Sequence, residues 1–134
     1  MTDRSAVEDL ANRYSLAYDT ADLDGIEAAF TEDATFSMKI AGNDPMSFGP
    51  RAAIMDLMRN SLSSQTDQRR HVNSNLIVEG TEDGVTRTKH YLTLLATEDG
   101  QISLLSAGLY SAEIVEEGGT LRFRKLHLDL DKAY

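Results

Sequence analysis

The sequence predicts an α+β fold: a cone-shaped barrel made of a strongly curved sheet wrapped around three N-terminal helices. Three observations lead there. In the first sixty or so residues apolar side chains recur mostly at helical spacing, as in Val7, Leu10, Ala11, Tyr14, Ala17 and Tyr18. From Arg70 onward they mostly alternate, with the period of strands. The breaks in that second half carry Asp83-Gly84, Asp99-Gly100 and Gly118-Gly119, which is the chemistry of hairpin turns. Helices first and an antiparallel meander after them is an α+β order. The sheet is too long for three short helices to cover flat. It is expected to curve around them, mixed or antiparallel, and to leave a cavity.

The elements follow in order. Ser5-Ala6-Val7-Glu8 reads as a capping box, and the apolar stripe after it carries a helix of about four turns to near Asp19. Asp22 is placed to cap a short second helix with Leu23, Ile26, Ala29 and Phe30 on its apolar side, although Gly25 weakens it. Ala34, Phe36, Met38 and Ile40 alternate with Thr35, Ser37 and Lys39 as a first strand, and residues 41–45 form a loop. Gly49-Pro50 opens a third helix with its proline in the first turn, and Ala53, Ile54, Leu57, Met58 and Leu62 form the buried stripe. Residues 61–67 are polar and read as a loop. Four strands complete the chain, at 70–79, 85–96, 101–115 and 121–130.

Bulk composition narrows the class. The 134 residues suit a single domain spanning 1–134. Hydrophobic residues make up 41% and charged residues 26%, the balance of an ordinary globular protein. The net charge is −9, and Arg69-Arg70 is the nearest approach to a basic cluster, so neither nucleic acid nor an anionic membrane is an expected partner. With no cysteine, thiolate nucleophiles, disulfides and iron–sulfur clusters are excluded. No basic-then-apolar leader stands at Met1–Ser5, and no apolar run approaches the ~20 residues that span a bilayer, so a cytoplasmic location is expected. Gly-x-Gly-x-x-Gly, Walker and Gly-x-Ser-x-Gly motifs are absent, which leaves nucleotide binding and serine-hydrolase chemistry without support.

The polar residues of the strand around His71 give the first functional signal. In a regular strand His71, Asn73 and Asn75 share one face, opposite Val72, Leu76 and Val78. An imidazole and two amides on one face fit a lined cavity; they also fit a polar strand end in solvent. Asp19 is a candidate partner for His71, since a carboxylate on one ring nitrogen fixes the tautomer and makes the other a better base. Asp19 could instead cap the next turn. Tyr14, Tyr18, Asn73, Asn75, Ser106 and Tyr110 form a set of hydroxyls and amides able to orient a carbonyl or hold an enolate oxygen, or, for the tyrosines, to serve as amphipathic core residues. His90 and His127 lie on different strands with no His-x-His or His-x-x-x-His pattern, so no metal is expected.

Taken together, these segments resemble the SnoaL-like branch of the nuclear-transport-factor-2-like superfamily. The carriers are Ala17-Tyr18-Asp19-Thr20-Ala21-Asp22-Leu23-Asp24, Phe30-Thr31-Glu32-Asp33-Ala34-Thr35-Phe36, Gly49-Pro50-Arg51-Ala52-Ala53-Ile54, His71-Val72-Asn73-Ser74-Asn75-Leu76 and Leu121-Arg122-Phe123-Arg124-Lys125-Leu126. The layout is nearest to the scytalone dehydratase and dehydrochlorinase-type lyases of that superfamily, which eliminate with an Asp–His dyad and no cofactor. The resemblance implies catalytic roles for Asp19, His71 and Tyr18. It departs on the later strands: Leu94 or Ala96 stands where those dehydratases carry a second histidine, His90 comes a turn earlier, and Gly108 replaces an asparagine that follows the serine matched by Ser106. The superfamily also holds isomerases, cyclases and non-catalytic subunits.

The expected function is acid–base catalysis, most simply a dehydratase-type elimination, on a small hydrophobic and cyclic molecule. His71 would take the proton, Asp19 orient it, and Tyr18 or Tyr14 polarise the oxygen or leaving group, with Tyr14, Asn73, Ser106 and Tyr110 binding substrate. No cofactor is expected. An isomerase or cyclase of the same kind, and a non-catalytic binding or structural subunit, are the alternatives. The long strands place Leu105, Leu109 and Val115 on one face and Leu104, Tyr110 and Ile114 on the other, so an apolar outer face and a homodimer formed through it are expected.

Overall fold

Asp3, two residues ahead of the expected start, caps the first helix. In the computed structural model, which describes residues 3–134, its carboxylate accepts the Ser5 backbone N–H at 3.0 Å, and Glu8 pairs with Arg4 instead of closing a capping box. Helix α1 runs Arg4–Asp19 and buries Val7, Leu10, Ala11, Tyr14, Ser15, Ala17 and Tyr18. It stops where Thr20 turns both its N–H (2.9 Å) and its hydroxyl (2.8 Å) to Leu16 O.

Helix α2, Leu23–Ala28, begins at Asp22, whose carboxylate accepts from Gly25 N at 3.0 Å. Gly25 belongs to this cap. A Cβ there would sit 2.6 Å from Asp22 Oδ2. Strand β1 (Phe30–Ile40) pairs with a short strand that the sequence pattern does not predict, β2 (Met46–Phe48). Helix α3 covers Arg51–Ser64, reaching into the expected loop; the hydroxyls of Ser63 and Ser64 both bond Asn60 O and finish its last turn.

The meander follows: β3 (Gln68–Glu82), β4 (Val85–Glu98), β5 (Gln101–Glu117) and β6 (Thr120–Leu130). Its turns have positive φ at both central residues, Asp83-Gly84, Asp99-Gly100 and Gly118-Gly119, the conformation that matches strand twist. The sheet order is β2-β1-β6-β5-β4-β3. All neighbours are antiparallel except β1 and β6, so the sheet is mixed. It curves around the helices but stays open, with β2 and β3 as free edges. Phe30, Phe123, Ile26, Ile54, Leu92, Leu94, Ile114 and Leu126 form the fully buried centre.

Among the sheet's register shifts, two change where residues expected on one face come to lie. In β3 the register with β4 shifts between Ser74 and Ile77, and Asn75 sits at φ 58°. The extra residue reverses the alternation beyond it. Leu76 and Val78 therefore pack on the core side with His71 and Asn73, while Val72 and Ile77 (60% exposed) face out. Asn75 leaves the shared face assigned to it; asparagine tolerates this left-handed conformation better than most side chains. In β5 the register shifts beside Leu105, because Leu94 pairs with Ser106 and Leu95 with Leu104. Leu104 (66% exposed) is thereby placed on the outer face, while Tyr110 and Ile114, which the regular alternation groups with it, are in the core.

Candidate active site

Helix α1 lies along the inner side of β3, so the end of the helix meets the start of the strand. Asp19 Oδ1 lies 2.6 Å from His71 Nδ1, and Asp19 Oδ2 accepts the His71 backbone N–H at 2.9 Å. Gln68 Nε2 donates to Asp19 O at 2.8 Å and ties the helix end to the strand a second time. Both side chains of the pair are nearly buried. A carboxylate can only accept, so Nδ1 donates, and in the neutral ring Nε2 is the nitrogen with the lone pair. Nε2 has no partner among the described residues. No buried side-chain nitrogen or oxygen among them lacks a partner, so this nitrogen reaches space open to water.

Of the three candidate tyrosines, Tyr18 touches the dyad. The Tyr18 ring meets the His71 imidazole edge-on, centroids 5.0 Å apart, and the Tyr18 hydroxyl donates to Gln65 Oε1 at 3.1 Å. Its proton is therefore engaged outside the dyad. Tyr14 packs edge-on against Phe30 and Phe123, and its hydroxyl has no partner among the described residues. The Tyr110 hydroxyl is likewise unpaired. By the same reasoning as for Nε2, both hydroxyls open onto water-accessible space. Burial raises the pKa of all three phenols, and each phenol also feels its neighbours: Tyr110, Tyr18 and Asp19 act on Tyr14, while Asp19 and Tyr18 act on Tyr110. The phenols are thus held protonated as donors.

Asn73 and Ser106 have other duties in this arrangement. Asn73 Nδ2 donates to Ser15 Oγ at 2.9 Å and lies 3.3 Å from Ala11 O and Asn12 Oδ1, while its Oδ1 accepts from His90 Nε2 at 3.1 Å. It fastens α1 to the sheet. Ser106 Oγ donates to Lys132 O at 2.6 Å. His90 is buried with its ring stacked on Tyr110, centroids 4.9 Å apart, and desolvation lowers its pKa to about 4. It is a neutral spacer behind Tyr110. Its parity with Leu92 and Leu94 is the sequence signal for that inward position. Gln65, Ser15 and Lys132 carry no comparable signal, because their contacts join distant segments.

His127 lies on the outer face of β6. Its Nδ1 accepts from Ser37 Oγ at 2.6 Å and its Nε2 donates to Asp129 Oδ1 at 3.2 Å. Among the described residues no group of three or more His, Cys, Asp or Glu side chains is arranged to hold a metal. No helix among them is long and apolar enough to cross a membrane.

The structure is an α+β cone that holds a carboxylate–imidazole pair at the end of its first helix. The chain belongs to the SnoaL-like domain family, whose model matches residues 1–127. Among solved structures it is similar to the beta subunit of the benzoate 1,2-dioxygenase of Burkholderia mallei. The two are 17% identical with a TM-score of 0.84, over 98% of this chain and 92% of that one. ActVI-ORFA of Streptomyces coelicolor is 21% identical with a TM-score of 0.81, over 95% of this chain and 96% of that one. A Catenulispora acidiphila protein solved in complex with S-DNPA is 21% identical with a TM-score of 0.80, over 94% of this chain and 91% of that one. At these identities the likeness shows the shared fold. A comparison with curated protein sequences gave no match.

Proposed function

We propose that the protein is a cofactor-independent acid–base enzyme, of the lyase or isomerase type, acting on a small hydrophobic cyclic molecule. The observation that carries this is the Asp19–His71 pair: a nearly buried 2.6 Å hydrogen bond on Nδ1 with Nε2 free. In this reading Nε2 takes a proton from carbon or oxygen, and Asp19 holds the imidazolium. The protonated phenols of Tyr14 and Tyr110 donate to the oxygen on which charge develops, and Tyr18 steadies the imidazole through its ring. Elimination of water follows when a leaving group sits beside the abstracted proton; isomerisation follows when the proton is returned elsewhere.

The test is proton exchange. Cyclic ketones with an exchangeable α-hydrogen are incubated with the protein in D₂O and followed by mass spectrometry. Catalysed deuterium uptake is expected, falling about 10²–10⁴-fold in His71→Ala, the range for losing a positioned acid or base. Equal uptake with the variant would remove His71 as the base.

A second reading is favoured by a different observation, the apolar outer face of the sheet. Val72, Ile77, Tyr91, Ile102 and Leu104 are exposed there. A face of this kind suits burial against another copy or a partner subunit. A homodimer through this face agrees with both readings. A purely structural subunit would show no exchange activity that depends on His71.

A further inference from the structure

After β6 the chain turns back across the inner side of the sheet. Asp131 N donates to Ala107 O at 2.9 Å, and Lys132 O accepts from the buried Ser106 hydroxyl at 2.6 Å. Ser106 pairs with Leu94, and Leu94 pairs with His71, so these three stand in one row across β5, β4 and β3. The next inward row on β3 is that of Arg69, paired with Ala96. The Arg69 guanidinium lies over the Tyr134 ring, 4.8 Å from its centroid, and is itself held by Asp67 at 3.0 Å. The segment therefore starts on the dyad's row at β5 and reaches β3 one row beyond His71. Tyr134 thus stands on Arg69, at the β3 end of the path that starts from Ser106, one inward row from His71.

We propose that residues 131–134 form a strap across the mouth of the Asp19–His71 cavity, with Tyr134 latched by Arg69 as the residue that limits access to His71 Nε2. This rests on reading that cavity as the reaction site. The two anchors differ in kind. Ser106–Lys132 is a hydrogen bond from a buried hydroxyl and acts as the hinge end. Arg69–Tyr134 is a cation–π contact with the tyrosine ring half exposed, the weaker end and the one that opens. Tyr134 becomes a specificity-determining residue: a molecule small enough to pass beneath its ring enters without opening the strap, and a larger ring system must displace it from Arg69. On opening, Arg69 keeps Asp67 but loses its ring partner, and that uncovered face of the guanidinium favours an incoming molecule with a polar group on its outer end.

Diethyl pyrocarbonate tests this without a substrate, because it acylates an accessible neutral imidazole nitrogen. The acylation rate of each histidine is read by peptide mass spectrometry. His127 on the outer face is the internal reference, and buried His90 reports on unfolding. In the wild-type protein His71 should react more slowly than it does in the urea-unfolded chain. In Tyr134→Ala, in Arg69→Gln and on deletion of residues 132–134, the His71 rate should rise about fivefold or more, the scale of a modest shift in an open–closed population, with His127 unchanged. A His71 rate within twofold of wild type in Tyr134→Ala overturns the strap. If the deletion also makes His90 reactive, the fold has opened, and the outcome is then read from Tyr134→Ala, which removes no core side chain. Loss of the proposed catalysis would show in the exchange assay and leave these rates untouched, so the two failures are distinguishable.

Discussion

The two oxygens of the Asp19 carboxylate are both taken by one residue, His71: Oδ1 by the ring at 2.6 Å and Oδ2 by the backbone N–H at 2.9 Å. The backbone bond fixes where the strand lies against the helix end, and the ring bond fixes the imidazole within that frame. An amide cannot replace this carboxylate, because it offers only one accepting oxygen to two donors.

Asp19→Asn should therefore cost about 1–3 kcal/mol of stability, the penalty for a buried donor left unpaired. Urea unfolding is the measurement. The same variant should alter the ring nitrogen shifts of His71 in a ¹⁵N spectrum, since nothing then enforces the proton on Nδ1. A stable variant with unchanged shifts would show that Asp19 does not set the tautomer.

If the dyad is catalytic, its members act as a unit. His71→Ala and Asp19→Asn should each reduce exchange activity strongly, and the double variant should be little worse than His71→Ala alone. Multiplicative losses would mean that the two residues act separately.

His90 gives a pH dependence of stability. Its pKa falls from 6.5 to about 4 on folding, because the buried ring between Asn73 and Tyr110 resists charge. The unfolded chain then binds a proton that the native state refuses. Stability from this group is complete above pH 6.5, falls as pH drops from there toward 4, and levels below. The full loss is about 3 kcal/mol from a shift of this size. Between pH 7 and 5, His90→Gln should show a shallower decline in urea midpoint than wild type. Parallel declines would assign the pH dependence to other groups.

Gly25→Ala should destabilise, against the usual helix preference for alanine. Its Cβ would press on Asp22 Oδ2 at 2.6 Å and on Ala17 Cβ at 3.0 Å, so the cap of α2 would be lost. A fall of about 1 kcal/mol, the typical worth of such a cap, is expected in thermal or urea unfolding. A gain in stability would mean that the cap relaxes without cost.

For assembly, Leu104→Lys combined with Ile102→Lys should yield a 14.8 kDa species in sedimentation where wild type sediments as a dimer. A wild-type protein that is monomeric at micromolar concentration would end the homodimer reading. Variants that remain dimeric would place the contact elsewhere.

The sequence by itself determined the element order and most of the core, because those depend on short-range periodicity and turn chemistry. The stripe from Val7 to Tyr18, the Asp22 cap and the three hairpin turns are all legible within a few neighbouring residues. It also marked Asp19 and His71 as candidates, by their places at a helix end and a strand start. Tertiary structure alone decided which side chains reach the cavity. The bulges at Asn75 and Leu105 reverse the alternation beyond them, and a bulge is a choice made by the partner strand as much as by its own residues. The engagement of Tyr18 with Gln65, Asn73 with α1 and His90, and Ser106 with Lys132 joins segments 17 to 62 residues apart. Such contacts leave no periodic trace, because their geometry exists only once the sheet has curved around the helix.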